Sequence, residues 1–311
     1  MRANVLALAA LAVIPFQAAC DLETLAESSD RFREDFQYSY NLKPGGHVSV
    51  DTFNGSVEVL SWEKDAVQIT GTKYASREED LAGMKIDVKA DDSSVQVRTI
   101  RPESRRGNMG ARYFVRVPRR VQLDFIRSSN GQIRVEDVEG DTRLETSNGA
   151  VRLRRVTGRL DARTSNGAIE GGDVAGSAIL RTSNGAIRVD RITGSVQANT
   201  SNGTIQIAMM RPKTGDRLEF ESSNGSLDLA FEELSNNELR ASTSNSSITL
   251  RVPPTIKAQL RASTSNSSIT SDLDVTTHGT LTKNRLEGEI NGGGPLIHLT
   301  TSNGSIKLLR Q

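Results

Sequence analysis

Apolar and polar residues alternate along most of this chain, and the alternation breaks at regular intervals. Between Thr142 and Ile207 the phrases LETSNGAVRL, LDARTSNGAIEG, AILRTSNGAIRV and VQANTSNGTIQI follow one another almost letter for letter. Counting from the Asn of Ser-Asn-Gly, Thr164, Ala162 and Leu160 lie two, four and six residues before it, while Val151 and Leu153 lie three and five after theirs. Val138, Val156, Val174 and Ile192 stand eight after, and Gly140, Gly158, Gly176 and Gly194 ten after. The positions between are mostly Arg, Asp, Glu and Gln. A period of two with one buried face predicts β-strands, separated here by two turns per unit, Ser-Asn-Gly and Val-x-Gly.

The unit returns every 18 residues, at Asn130, Asn148, Asn166, Asn184 and Asn202 with Gly131, Gly149, Gly167, Gly185 and Gly203 behind them. A fixed short period marks a repeat architecture. Two folds satisfy the pattern. Asn-Gly is a strong hairpin signal and would pair Thr164 with Ile169 in an antiparallel meander. In a β-solenoid each unit is instead one coil, with equivalent residues stacked about 4.8 Å apart. The solenoid is the better reading, because a one-faced meander needs a second layer and no helices are available to supply it. Stacking also explains identical residues at identical places. It predicts an Asn ladder in which each amide is satisfied from the coils on either side. Strand parity places Thr146, Thr164, Thr182, Thr200 and the Asn inward, and Gly after the Asn reads as a positive-φ corner. The six-residue aliphatic rule of left-handed hexapeptide helices fails, since Val151 is followed by Thr157 and Arg163. A right-handed or irregular solenoid is therefore expected.

Outside the regular array, Phe36, Tyr38, Tyr40 and Leu42 alternate as a strand before Pro44-Gly45-Gly46, and HVSVDTFNGSVEV is an early copy of the repeat at Asn54. Strands are expected around 67–72, 85–90, 95–100 and 113–117. A short helix is expected over 76–83, where Ser76 and Glu79 have capping-box spacing. Residues 101–112 read as a Gly- and Arg-rich loop. After Met210 the phrase continues at Asn224, Asn245, Asn266 and Asn303, two of these as Ser-Asn-Ser-Ser. Residues 272–295 read as a loop plus one degenerate coil.

The N-terminus reads as an export signal, with Arg2 before an apolar run from Val5 to Phe16. Cys20 is the only cysteine and follows Gln17-Ala18-Ala19, as in a bacterial lipobox, so it is the expected lipidation site. The expected organisation is a signal peptide over 1–19, a lipid-anchored tether over 20–35 and a solenoid over 36–311, irregular to 118 and regular from 119. The protein is then exported and held at the cell envelope by its lipid, periplasmic or surface-exposed.

From Phe36 onward the chain resembles a bacterial candidate-adhesin family of β-strand-repeat envelope proteins of unknown function. The resemblance rests on PGGHVSVDTFNGSVEVLSW, on YFVRVP before the array, on the Thr-Ser-Asn-Gly phrases and on GGGPLIHLTTSNGSIKL. It implies a β-helical, adhesin-like domain and brings no catalytic residues with it.

Composition adds little: 311 residues, net charge +1 and 4% aromatics suit a narrow solenoid core. The scattered His47, His278 and His298 form no metal or triad spacing, and no HExxH, CxxC, phosphate loop or nucleophile elbow occurs. No cofactor is expected. Glu145, Asp161, Glu170 and Asp190 share no single repeat position. The expectation is thus a non-catalytic interaction surface for adhesion, scaffolding or envelope-stress sensing, the alternative being a β-helical carbohydrate-active enzyme. Arg152, Arg154, Arg159 and Arg163 lie outward on adjacent coils and suggest an anionic partner: a lipid headgroup, a polysaccharide or an acidic envelope protein. Sparse aromatics and export argue against nucleic acid.

Overall fold

The computed structural model describes residues 30–103, 107–277 and 282–311. The signal segment, Cys20 and His278 lie outside them. The chain forms two long sheets of 14 and 13 strands that face each other across one apolar core. Each coil contributes one strand before its Ser-Asn-Gly corner to the first sheet and one strand after it to the second. The pairing is parallel and offset by one unit: Leu160 pairs with Ala178, and Val151 with Ile169. Thr164 and Ile169 therefore belong to opposite sheets, which excludes the meander and establishes the solenoid.

The alternation explains the packing. Leu160, Ala162, Ile169 and Val174 of the Asn166 coil, and Leu180, Ile187, Val189 and Ile192 of the next, are buried between the sheets. At about 25 cal/mol per Å² of apolar area, each large aliphatic contributes roughly 1.5–3 kcal/mol. The step from the fifth to the eighth position after Asn would break strand parity. In the Asn130, Asn148, Asn166 and Asn184 coils it is reset by one left-handed residue each, at Asp137 (φ 60°), Arg155 (50°), Asp173 (59°) and Arg191 (50°). The Val-x-Gly turn then closes each coil through Gly140, Gly158, Gly176 and Gly194, with φ from 118° to 152°.

Several boundaries differ from expectation. The first strand is Phe32–Asn41, so it begins inside the segment read as tether. The helix is present over Glu78–Gly83, but its N-cap is Arg77 and no side chain caps it, so the Ser76 capping box does not form. The strand Met109–Pro118 takes the end of the expected 101–112 loop, because Met109, Gly110 and Ala111 are buried alongside it. Among the described residues of 272–295 there is no coil. They supply Val275–Thr277 and Arg285–Ile290, an antiparallel addition to Ala258–Thr264 that closes one end of the first sheet.

Antiparallel strands close the other end too. Phe32–Asn41 and Ala66–Ala75 continue the second sheet beyond Met109–Pro118, and Lys85–Ala90 lies outside Ser94–Ile100 on the first. Neither end follows chain order. The Asn54 coil sits between the Ser94–Ile100/Met109–Pro118 coil and the Asn130 coil. At the opposite end the Asn303 coil sits between those of Asn245 and Asn266.

Candidate functional site

The corner is built by two side chains with opposite orientations. Thr164 points inward, and its hydroxyl donates to Gly149 O of the preceding coil at 2.9 Å and accepts from Gly167 N–H at 3.2 Å. Thr146, Thr182 and Thr200 repeat the bond to the preceding coil. The Asn residues point outward instead. Asn130, Asn148, Asn166, Asn184 and Asn202 are all exposed, which corrects the inward placement expected from parity. Each amide donates to the Asn of its neighbouring coil, Asn148 to Asn130 at 2.5 Å, Asn166 to Asn148 at 2.6 Å, and Asn184 and Asn202 onward at 2.7 Å. The column reaches Asn54 at one end and runs through Asn224, Asn245 and Asn303 to Asn266 at the other.

The glycines of the corner also need a different explanation. Gly149, Gly167, Gly185 and Gly203 do not have positive φ. A Cβ at Gly167 would lie 1.8 Å from Gly149 O, and one at Gly185 1.7 Å from Gly167 O. Close approach of the preceding coil, not left-handed backbone, excludes a side chain there.

The four arginines do not form one face. Arg152 and Arg154 lie on the outer face of the second sheet. There Arg152 donates to Gln132 Oε1 at 2.9 Å and pairs with Glu170 at 3.3 Å. Arg159 follows the Gly158 turn, where its backbone N–H donates to Asp141 Oδ1 at 3.1 Å. Arg163 lies on the first sheet, held in two hydrogen bonds by Asp161 of its own strand. Asp161 and Glu145 lie on that sheet, Glu170 and Asp190 on the other, and each faces an arginine: Glu145 faces Arg127, and Asp190 faces Arg191.

The left-handed column carries its own charge pattern. Arg155 pairs with Asp137 of the preceding coil, its Nη2 2.7 Å from Oδ2, and Arg191 pairs with Asp173, with Nε 2.5 Å from Oδ1. These hydrogen-bonded guanidiniums hold both carboxyls below the usual aspartate range. Of the histidines, His47 Nδ1 sits 2.8 Å from Asp124 Oδ1. Burial pushes the His298 imidazole down, helped by Arg240 and Arg261 on the flanking strands.

A groove of about 640 Å³ lies on the outer face of the first sheet, beside the corners. Along it Arg163, Arg181, Asn199 and Glu221 stack in register on successive coils. Arg163 has Asp161 two residues before it. The equivalent residue in the next coil is Ile179, so Arg181 faces no carboxylate and donates only to Gln197 Oε1, at 3.1 Å. Two guanidiniums stacked one coil apart repel each other. Beside them the Asn199 amide oxygen is buried without a hydrogen-bond partner. Serines 183, 201, 223 and 244 line the corner side. Sequence reasoning missed Arg181 and Asn199, although both occupy the repeat position of Arg163, and the change from Asp161 to Ile179 was the available signal.

Compared with known families, the chain is matched over residues 45–257 by the Toastrack DUF4097 family model. The chain belongs to the Toastrack DUF4097 family. The match runs through the Asn245 coil and stops before the Asn266 and Asn303 coils, so the end of this Toastrack chain that departs from chain order lies beyond it. No curated protein matches. Among solved structures the Toastrack chain is similar to a candidate adhesin from Bacteroides fragilis, at 13% identity over 89% of this chain and 97% of that one, with a TM-score of 0.38. It is also similar to a candidate cell adhesion protein from Clostridium sporogenes, at 9% identity over 89% and 100%, with a TM-score of 0.26. Both superpose loosely, and the Toastrack fold assignment rests on strand register and family match.

Proposed function

We propose that this Toastrack protein is exported, anchored at the envelope through a lipid on Cys20, and non-catalytic, and that its solenoid holds an acidic polysaccharide in the groove at Arg181. The observation that carries the reading is Arg181 itself, a guanidinium stacked on Arg163 with no carboxylate of its own, beside the unpartnered Asn199 amide oxygen. A uronate suits this lining: its carboxylate accepts from the guanidiniums, and its hydroxyls donate to Glu221. The coil spacing of about 4.8 Å is comparable to the rise of one sugar along an extended glycan, so successive residues could meet successive rungs. Adhesion and scaffolding are the roles this surface suits. An acidic envelope protein sensed as a partner would call for a broader basic face than Arg163 and Arg181 supply.

Polygalacturonate titrated calorimetrically into the protein should bind in a salt-sensitive way, and Arg181→Glu should weaken it by about tenfold or more. Unchanged binding by that variant would sink the proposal. So would binding of phosphatidylglycerol vesicles, but not of the glycan, with the same dependence on Arg181. The glycan should be recovered at full length. Shortening would favour the carbohydrate-active enzyme. Replacement of Cys20 by Ser should abolish fatty-acid labelling and release the protein from the membrane fraction.

A further inference from the structure

A solenoid laid down in chain order would carry its Asn303 coil outermost. Here that coil is enclosed. Leu296–Thr301 pairs in parallel with both Leu239–Thr243 and Ala258–Thr264, and Ile306–Arg310 with both Ile248–Val252 and Ile269–Ser271. The corner repeats the order: Asn266 donates to Asn303 at 2.7 Å and Asn303 to Asn245 at 2.8 Å. The inward hydroxyls follow it, Thr264 donating to Gly304 O and Thr301 to Ser246 O, each at 2.9 Å. Both walls of this slot precede the inserted segment in the sequence.

The corner residues explain why the slot exists. The flanking coils read Ser-Asn-Ser-Ser and the inserted coil reads Ser-Asn-Gly. A Cβ at Gly304 would lie 1.9 Å from Ser246 O. A serine there needs a differently arranged corner, and at Ser246 the hydroxyl donates to Asn224 O of the coil beneath at 2.7 Å. In the observed succession, Gly225, Ser246, Gly304, Ser267, glycine and serine corners alternate. Chain order would place Ser267 directly on Ser246.

The inserted segment is joined to the walls through Asn291, Gly292 and Gly293, three successive left-handed residues with φ of 49°, 83° and 82°. Asn tolerates this backbone, and the Asn291 amide holds the turn closed on Pro254 O at 2.9 Å and Ile256 O at 2.8 Å. A short hinge before an element with a complete docking slot favours exchange between copies.

We propose that residues 294–311 are an insertion segment, and that the slot between the Asn245 and Asn266 coils is a binding site for this segment from either its own chain or a second copy. Thr249 and Lys307 are register partners on the outer face, and Thr270 lies beyond Lys307 on the other wall. In a Cys20→Ser background, the double variant Thr249→Cys/Lys307→Cys should close an intrachain disulfide, whereas Thr249→Cys/Thr270→Cys should stay reduced.

The deciding experiment mixes the single variants Thr249→Cys and Lys307→Cys, unfolds and refolds them together at high concentration, and oxidises them. A covalent heterodimer is expected, absent when the folded proteins are mixed without unfolding and reduced when Gly304→Ser is added to the Lys307→Cys chain. No heterodimer, alongside a normal intrachain bond in the double variant, would confine the segment to its own chain and overturn the exchange. Equal amounts of Thr249→Cys homodimer would make the bond unspecific and overturn it as well. Ready bonding of Thr249→Cys/Thr270→Cys would show the walls stacked directly and remove the slot.

Discussion

Thr164, Asn166 and Gly167 are near neighbours with three different jobs, and their substitution should separate them. Thr164→Val keeps the shape but leaves Gly149 O and Gly167 N–H without their partner, which should cost about 1–3 kcal/mol. Asn166→Ala removes an exposed ladder bond, worth under about 1 kcal/mol because water takes its place. Gly167→Ala drives a methyl against Gly149 O and should cost about 3 kcal/mol or more. Urea midpoints in the order wild type, Asn166→Ala, Thr164→Val, Gly167→Ala test the assignment, and an Asn166 variant weaker than the Thr164 variant would restore the inward Asn. The period in the sequence located all three residues. It did not orient them, because parity counted from Thr164 to Asn166 runs through a corner where the chain leaves the strand. Nor can composition distinguish a glycine needed for left-handed backbone from one needed for close approach. Gly158 and Gly167 look alike until the preceding coil is in place.

The Asn130, Asn148, Asn166 and Asn184 coils each add one left-handed residue to a column that reads Asp137, Arg155, Asp173, Arg191, so opposite charges alternate along this part of the stack. The folded carboxyls titrate below the unfolded value of about 3.9. Their contribution to stability is therefore present above about pH 4 and is lost as pH falls through the lowered folded values. Urea midpoints followed downward from pH 5 should drop over that range, and Arg155→Ala/Arg191→Ala should flatten the drop. A profile of unchanged slope in the double variant would assign the acid sensitivity to other carboxylates. Alternation was visible in the repeats as Asp or Arg seven residues after Asn130, Asn148, Asn166 and Asn184. What the period could not show is that this residue turns the strand by adopting left-handed backbone, which lets Val138, Val156, Val174 and Ile192 face the core again.

Because coils touch only their neighbours, whole units should be removable, with charge deciding which removals are well tolerated. Deleting residues 160–177 brings the Asn148 and Asn184 coils together and places Arg155 against Arg191. Deleting 142–177 brings Asp137 against Arg191 and keeps the alternation. Both variants should fold to parallel sheets. The melting temperature of the first should rise with added salt as the like charges are screened, and that of the second should not. Equal salt responses would show that the column does not contribute to register. The regular array was legible in this sense: one period, one corner, one buried face. The ends were not, since nothing in the spacing of Asn245, Asn266 and Asn303 reveals that the last is placed between the first two. Only the exchange of Gly for Ser at residues 246 and 267 marks the site, and it acquires meaning once the carbonyl beneath Gly304 is seen.

The enclosed Asn303 coil also decides how the molecule responds to load. A strand at the end of a stack, pulled sideways, gives up its hydrogen bonds one rung at a time. Ile306–Arg310 is flanked along its length by Ile248–Val252 and, over Ile306–Leu308, by Ile269–Ser271. Tension along that strand strains both sets of bonds together in shear, and the chain resists until they fail at once. The same enclosure that gives this strand two partners makes it a mechanical latch.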